Sequence, residues 1–285
     1  MQKKILRLEH PRQNHMVWDG FRVSQYIPWY GREMSDDTSP FLMLDYNAPW
    51  KLEPQNGHRP GVGFHPHRGF ETVTIVYSWE VEHKDTAWNW GVIGADEVQW
   101  MTAGSGLLHN EFMTERFSLM GGIQHAVQLW VNLPRAHKMT APRYQALTRE
   151  SIPEVEFVWG RVRVIAGEFQ WIPWVATTFS QVELYDIRFD STGSLDITLP
   201  EGYTSMLLVT EGEVVAWEKY LQNEDMVHFS KTGTNITLTS SAKAKLLLMA
   251  GKPLDEPVVA YGPFVMSTQE EIMQAFTDFH AGKMG

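Results

Sequence analysis

The sequence contains no cysteine among its 285 residues. That absence excludes disulfide bonds, thiolate metal sites and thiol catalysis. Basic residues are also scarce, because 24 Lys and Arg stand against 34 Asp and Glu, for a net charge of −10. Direct nucleic-acid binding needs clustered positive charge, so we expect none here.

Long apolar segments are absent as well. No run approaches the roughly 18 residues of a transmembrane helix. The basic amino terminus is not followed by the apolar segment that a signal peptide carries. We therefore expect a cytoplasmic protein with no membrane association. The remaining composition, 43% hydrophobic and 20% charged, is typical of a globular chain with a sizeable core, and the length predicts about two domains.

Short strand-like segments dominate the chain. They are rich in β-branched, aromatic or leucine residues and are separated by Gly, Pro, Asn and Asp, as at residues 72–77, 127–131, 182–189, 205–209 and 245–249. Many short strands with frequent turns predict an all-β fold of the sandwich or barrel type.

Two segments carry a helical pattern. Over residues 267–281, a capping box at Ser267 and Glu270 precedes an apolar stripe at Ile272, Ala275, Phe276 and Phe279. This stripe predicts a helix that packs on a domain. Residues 143–149 are a weaker helix candidate.

A weak internal repeat favours a duplicated β-domain. Residues 72–82 resemble residues 205–215 at an offset of 133, and residues 96–100 resemble residues 224–228 at an offset of 128. We expect an N-terminal domain over residues 1–140 and a C-terminal domain over residues 141–285.

The strongest functional signal is a pair of short patterns, His65-Pro-His67 and His109-Asn-Glu111. Residues i and i+2 of a strand point to the same face, so each pattern presents two side chains together. Three imidazoles and one carboxylate suit a divalent first-row transition metal. If the two strands oppose each other, the pattern predicts a metal site.

Glu71 leaves the assignment open, because it has the same parity as His65 and His67. It is a candidate fourth ligand in place of Glu111, a candidate general base beside the metal, or a hydrogen-bond partner for a ring N–H of a ligating histidine. His83 and His125 are further candidates for such hydrogen bonds, although we expect them to be ordinary strand residues.

Several motifs carry a resemblance to a known family. They are GFHPHRGFET at Gly63–Thr72, VQWMTAGSGLLH with the following Glu111, QLWVNL at Gln128–Leu133, and YGPFVMSTQEEI at Tyr261–Ile272. Together they resemble the pirin family of the cupin superfamily over nearly the whole chain. The chain departs from the family at Trp79, where a glycine is usual, and at residues 95–97, which replace a Pro-Gly-Asp turn. These departures predict a differently shaped rim around the site.

The resemblance implies two stacked cupin barrels, with the C-terminal helix packing back on the N-terminal domain. It implies one metal per chain, most often iron as Fe(II), with Zn, Cu, Mn, Co and Ni as alternatives. It assigns the ligands to His65, His67, His109 and Glu111. Under the repeat offsets their counterparts are Thr198, Pro200, Thr237 and Thr239, so the C-terminal barrel is expected to lack metal ligands.

The resemblance also implies two functions. Bacterial members resemble quercetin 2,3-dioxygenases, which predicts a small aromatic or flavonoid substrate together with O2. We then expect Glu111 to be catalytic, with Glu71 as a base or a supporting residue. An animal member is a transcriptional co-regulator, which predicts instead a non-catalytic metal-binding protein with a protein partner.

Overall fold

The computed structural model describes residues 1–11, 13–28, 37–173 and 175–284. Its first half contains β1 (Ile5–Glu9), β2 (His15–Val17), β3 (Phe21–Ile27), β4 (Phe41–Leu52), β5 (Gly61–His67), β6 (Phe70–Ser78), β7 (Val81–Asp85), β8 (Trp90–Ile93), β9 (Val98–Thr102), β10 (Leu107–Met113), α1 (Glu115–Met120), β11 (Gly122–Asn132), a 3₁₀ turn at Arg135–His137 and β12 (Arg143–Leu147).

Its second half contains β13 (Glu154–Phe157), β14 (Gly160–Ala166), β15 (Glu168–Phe169), β16 (Ile172–Pro173), β17 (Val182–Phe189), β18 (Gly193–Thr198), β19 (Thr204–Glu211), β20 (Val214–Ala216), β21 (Lys219–Leu221), β22 (Met226–Phe229), β23 (Asn235–Ser240), β24 (Ala244–Gly251), β25 (Val259–Tyr261), β26 (Phe264–Met266) and α2 (Gln269–His280). The fold is therefore all-β with one substantial helix at the carboxy end, as predicted.

The chain divides into two compact units that interleave along the sequence. The first barrel comprises Arg12–Ser35, Phe41–Arg149 and Asp255–Gly285, and the second barrel comprises Met1–Pro11, Asp36–Pro40 and Glu150–Leu254. Each unit is built from three separate segments of the sequence. The predicted domain boundary, between residues 140 and 141, divides the sequence at one point only. That boundary stays a prediction.

Each barrel contains a seven-stranded and a four-stranded antiparallel sheet with equivalent strand orders, except that the edge position held by β12 in the first barrel is held by β1, from the amino terminus, in the second. The first barrel has the orders β12-β9-β6-β11-β4-β3-β2 and β5-β10-β7-β8. The second has β1-β22-β19-β24-β17-β14-β13 and β18-β23-β20-β21. The strands behind the sequence repeat, β6 with β9 and β19 with β22, occupy equivalent places, which confirms the predicted duplication.

The helix α2 belongs to the first barrel. Thr268 is its N-cap, one residue later than the predicted Ser267, and the Glu271 carboxylate accepts from the backbone N–H groups of Ser267 and Thr268. Ile272 and Ala275 are buried beside Phe264 and Leu108, while Phe276 and Phe279 are half-buried. The predicted packing of this helix on the N-terminal domain is confirmed.

The helix is also tied to the strand that carries two of the histidines. Arg68, which follows His67 directly, is buried and donates a hydrogen bond to Asp278 of α2 at 2.9 Å. Its Nε donates to the Ser105 carbonyl at 2.7 Å. The position of α2 is therefore coupled to the end of β5.

The prediction of a helix over residues 143–149 is wrong. Residues Arg143–Leu147 form strand β12, which pairs antiparallel with β9. Tyr144 packs there on the buried cluster of Met101, Ala103 and Leu107. Because that sheet edge supplies both backbone partners and an apolar surface, tertiary pairing outweighs the weak helical pattern.

None of the helices in the described part of the chain has the length and apolar character needed to cross a membrane.

Candidate metal centre

Three histidines meet on the inner face of the four-stranded sheet of the first barrel. His65 and His67 lie on β5 and His109 lies on the adjacent strand β10, where it is directly opposite His65. The ring centroids are 4.7 Å apart for His65 and His67, 4.3 Å for His65 and His109, and 5.0 Å for His67 and His109. One nitrogen from each ring lies within 4.8 Å of the others, so the predicted convergence of these imidazoles is observed.

The hydrogen bonds of these rings leave nitrogen lone pairs available. His65 Nδ1 is 2.8 Å from the Gly63 carbonyl, which only accepts, so the neutral ring has its lone pair on Nε2. His67 Nδ1 and His109 Nε2 are buried and have no hydrogen-bond partner among the described residues. Orphaned buried nitrogens are rare in folded proteins. These donors therefore fit a divalent metal ion.

Burial keeps the three imidazoles in the form that a metal requires. Desolvation lowers the pKa of His65 below its ordinary value, and it lowers the pKa values of His67 and His109 further, with the neighbouring histidines acting in the same direction. Neutral imidazole is the ligating form. The rings are consequently ready to bind a cation without first losing a proton.

Glu111 lies on β10 two residues after His109 and is also buried. Its carboxylate accepts hydrogen bonds from the side-chain amides of Gln99 and Gln128, the latter at 3.2 Å. It forms a second metal-capable group with His83 and His109. His109 thus belongs to two groups of three, and the structure does not gather the four predicted ligands into one group of four.

Glu71 lies elsewhere. Strand β5 ends at His67, Gly69 follows with φ 86°, and β6 starts at Phe70, so the alternation that links residues 65 to 71 is interrupted. On β6 it is Thr74 that faces the interior, which places Glu71 on the opposite face. Its carboxylate accepts from Thr102 at 2.7 Å, and burial raises its pKa to about 7.

Two further residues beside the cluster are His83 and Asp85 on β7; the sequence indicated His83 as a candidate hydrogen-bond partner for a ligating histidine but did not single out Asp85. They lie opposite Glu111 and His109 respectively, and both side chains are fully buried. His83 Nε2 donates to the Asp85 carboxylate at 3.1 Å. Burial would raise the pKa of Asp85, but hydrogen bonds from His83 and Asn89 outweigh it and lower that pKa. The same i, i+2 alternation that revealed the ligand pairs was present here.

A cavity of about 300 Å³ adjoins this cluster. His65, His67 and Glu111 form part of its wall, and most of the remaining wall is apolar, with Phe21, Val23, Met43, Val62, Trp79 and Trp130 among its residues. Trp18, which is 63% exposed, lines the same cavity. The cavity therefore offers an apolar, aromatic-walled space beside the histidines, at the lower end of the roughly 300–1,000 Å³ typical of small-molecule sites.

One row of polar side chains crosses this apolar interior. Gln25, Asp45, Gln128, Thr74 and Gln99 lie side by side on β3, β4, β11, β6 and β9, each directly opposite the next. Gln25 donates to Asp45 at 3.1 Å, and Gln99 donates to Thr74 at 3.2 Å. Burial raises the pKa of Asp45 to about 7. The row leads from Glu111 to the far side of the cavity.

Trp79 forms another part of the cavity wall. It is the residue at which the sequence departs from the glycine that is usual in the family. It lies in the tight turn between β6 and β7 with φ 153°, a conformation that favours glycine. Its indole is 3% exposed and packs edge-on against Phe21 at 5.0 Å between centroids. The large side chain narrows the cavity at a place where a glycine would leave it wider.

Sequence comparisons match both barrels to one family. Residues 20–131 match the family described as Pirin, and residues 184–285 match the Pirin C-terminal cupin domain. A protein of Pseudomonas aeruginosa that is provisionally named a quercetin 2,3-dioxygenase is 42% identical over 283 residues, which cover 99% of this chain and 98% of that protein.

Structural comparisons agree. The crystal structure of a quercetin 2,3-dioxygenase from Acinetobacter baumannii is similar with a TM-score of 0.94 and 42% identity, covering 100% of this chain and 99% of that one. A bacterial pirin from Escherichia coli, crystallised in complex with nickel(II), shares the fold with a TM-score of 0.63 at 18% identity, over 87% of this chain and 100% of that one.

Proposed function

The chain belongs to the pirin family, and from that premise we propose that it is a mononuclear metal-dependent dioxygenase that cleaves a flavonol such as quercetin with O2. The observation that carries the proposal is the apolar cavity of about 300 Å³ whose wall includes His65, His67 and Glu111. A flat aromatic substrate needs such a space beside its reactive centre. The names of the similar proteins from Pseudomonas aeruginosa and Acinetobacter baumannii supply the reaction type.

The metal in this proposal is held by His65, His67, His109 and Glu111. Fe(II) is our first choice, and Zn, Cu, Mn, Co and Ni remain alternatives, because three imidazoles and a carboxylate suit all of them. When bound, such an ion acts as a Lewis acid that makes a coordinated hydroxy-ketone easier to deprotonate, and a redox-active one can also engage O2.

The chain's own residues bind and orient the substrate. The aromatic walls formed by Phe21, Trp79 and Trp130 exclude water and sandwich a flat ring. Glu111 is the carboxylate on the cavity wall that belongs to the proposed metal site, and we assign to it the proton that the flavonol hydroxyl gives up. Asp45, further along the polar row, forms a hydrogen bond with a hydroxyl group on another part of the substrate. Glu71 faces away and takes no part in this proposal.

Oxygen uptake with quercetin tests the proposal. The protein, freed of metal and reloaded with Fe(II), should consume O2 and quercetin in equal amounts, and Glu111→Gln should reduce turnover far more than it reduces stability. Glu71→Gln should leave turnover nearly unchanged. An absence of turnover with Fe(II) and with each alternative divalent metal would contradict the assignment.

A second function, a non-catalytic metal-binding regulator of a transcriptional or enzyme partner, is favoured by one observation. The turn between β7 and β8 and the start of β8 expose two indoles, Trp88 at 96% and Trp90 at 62%. Exposed aromatic residues of this kind are enriched at protein interfaces. If no flavonol is turned over, Trp88→Ser and Trp90→Ser are the variants that should reduce binding of a partner protein.

A further inference from the structure

A buried chain of side chains runs from β7 to one of the proposed metal ligands. His83 is stacked on Tyr144, with 4.6 Å between the centroids, and it lies beside His109. The two Nδ1 atoms of His83 and His109 are 3.4 Å apart, and His83 Nε2 is 3.1 Å from Asp85 Oδ2. His83, Asp85 and Tyr144 lie outside the motifs that supplied the proposed ligands, and His109 connects them to the site.

The protonation states of His83 and His109 follow from the carboxylate of Asp85, at the far end of this series of side chains. Asp85 Oδ1 accepts from the backbone N–H of Asn89 at 2.9 Å, and the Asn89 amide donates to both carboxylate oxygens. The carboxylate has only acceptors to offer, so a neutral His83 carries its proton on Nε2 and has a lone pair on Nδ1.

That lone pair determines the state of the next ring. Since His83 Nδ1 accepts, His109 Nδ1 must be the donor across the 3.4 Å contact. The lone pair of His109 is then on Nε2, the buried atom that has no hydrogen-bond partner among the described residues. Each step has a single solution for neutral rings, and all of them follow from the acceptor at Asp85.

We propose that Asp85 and His83 are positioning residues that fix the tautomer of His109 and so hold its Nε2 lone pair ready for a divalent first-row metal ion. The inference rests on the proposed metal centre and extends it. Ligating histidines almost always donate their other ring N–H to a partner. His65 uses the Gly63 carbonyl for this purpose, whereas His109 uses a second histidine backed by a carboxylate.

The rival assignment makes His83 itself a ligand, because His83, His109 and Glu111 form a metal-capable group. In that case His83 would bind the metal directly, together with His109 and Glu111. Both assignments predict that His83 matters, so removal of His83 alone does not separate them. The tautomers of the metal-free rings do separate them, and so does the set of nitrogens that respond to metal.

Asp85→Asn is the sharpest variant. The backbone N–H of Asn89 keeps the new amide oxygen at Oδ1, so the NH2 group takes the place of Oδ2 and donates to His83 Nε2. The proton of His83 then moves to Nδ1, and His109 responds by placing its own proton on Nε2. That nitrogen can no longer bind a metal.

The test uses ¹⁵N-histidine NMR of the full chain without metal and during titration with Zn(II) alone. In the wild type we expect His83 as the Nε2–H tautomer, His109 as the Nδ1–H tautomer, and direct Zn(II) shifts at His65, His67 and His109. In Asp85→Asn we expect both tautomers to reverse and Zn(II) affinity to fall by about 10–100-fold. Glu82→Gln is the matched control, because this half-buried carboxylate lies on the same strand and pairs with Arg59 and Lys84 instead; its tautomers and affinity should equal those of the wild type.

Wild-type tautomers other than these, or a direct Zn(II) shift at His83, would overturn the proposal. Unchanged Zn(II) affinity in a folded Asp85→Asn variant would do the same. If that variant does not fold, the wild-type spectra decide the question by themselves. None of these readouts depends on quercetin turnover. A failure of the proposed dioxygenase activity can therefore be distinguished from a failure of the proposal that Asp85 and His83 fix the tautomer of His109.

Discussion

The two barrels share strand order and register but differ in what fills their interiors. The row that is polar in the first barrel has a direct counterpart in the second, on β14, β17, β24, β19 and β22, where the same pairings recur. The first row reads Gln25, Asp45, Gln128, Thr74 and Gln99, and the second reads Val164, Tyr185, Leu248, Leu207 and Val227, all of which belong to one buried apolar core.

This difference separates what the fold needs from what a site needs. The second barrel shows that the architecture closes well with an apolar interior. The first barrel instead buries polar side chains, and desolvation of one of them, Asp45, raises its pKa to about 7, which is a free-energy cost that the fold does not impose. A binding role for the row and the histidines accounts for that cost.

The four-stranded sheets extend the contrast. In the first barrel β5 and β10 turn His65, His67, His109 and Glu111 inward. In the second, β18 and β23 turn Leu195, Ile197, Leu238 and Ile236 into the core. The repeat offsets pointed instead to the threonines at 198, 237 and 239, which lie on the other face of these strands. That the second barrel binds no metal stays a prediction.

The largest expected effects come from truncating one interior side chain in each barrel. His109→Ala should remove most of the bound metal, because the variant loses a ligand. Ile236→Ala, on the corresponding strand, should lower the free energy of unfolding by about 2–5 kcal/mol through its cavity and retain all metal. Elemental analysis and denaturant unfolding measure the two effects, and full metal content in His109→Ala would break the comparison.

The next effect concerns α2, which packs on β25 and β26 of the first barrel. Ile272 is 1% exposed, so Ile272→Ala should destabilise the protein by about 2–5 kcal/mol, with faster hydrogen exchange in β25, β26 and β5. Phe276 is half-buried, so its truncation should cost less than full burial would imply. Met273, exposed on the same helix, is the control, and Met273→Ala should stay within about 0.5 kcal/mol of the wild type.

A third prediction uses Glu71, whose counterpart in the second barrel is Thr204. Burial raises the pKa of Glu71 from 4.5 to about 7, so folding favours the protonated acid. The stability it contributes is complete below pH 4.5 and is lost as the pH rises through about 7, by an amount on the order of 3 kcal/mol.

Glu71→Gln should therefore flatten this part of the stability profile. Asp45, whose pKa burial also raises to about 7, contributes a separate decline of the same sign. Unfolding measured from pH 4 to pH 8 tests the effect, and an unchanged slope in Glu71→Gln would show that the carboxyl is ionised and paired in the native state.

The smallest effect concerns the polar row. Asp45→Ala should weaken the binding of quercetin by about 2–10-fold, the value of one hydrogen bond, and leave 3-hydroxyflavone, which lacks the other hydroxyls, unaffected. Val23→Ala, a change in the apolar wall, should weaken both ligands alike. Quenching of tryptophan fluorescence gives both affinities. Equal losses for the two ligands in Asp45→Ala would remove the hydroxyl-binding role.

The sequence predicted those features that depend on local alternation. The pairs His65/His67 and His109/Glu111 were found because period-two spacing alone puts their members on one face. The same rule misplaced Glu71, because Gly69 at φ 86° breaks the alternation between β5 and β6. The His83/Asp85 pair had the required spacing, but nothing in the sequence shows that β7 lies beside β10.

The polar row lay beyond sequence reasoning for a different reason. Its five members are spread over residues 25 to 128 and share no spacing, so only the register of five strands brings them together. The strand at Arg143–Leu147 was likewise decided by pairing with β9 rather than by its own pattern. The spacing of residues along the sequence carries no information about which distant strands pair with each other.

Anomalous diffraction at the iron edge from crystals of the Fe(II)-loaded protein tests the central claim most directly. The account predicts one peak per chain, bounded by His65, His67, His109 and Glu111 in the first barrel, and no peak within the second barrel. A peak bounded by His83 and away from His65 and His67, or a peak among the apolar residues of the second barrel, would contradict it.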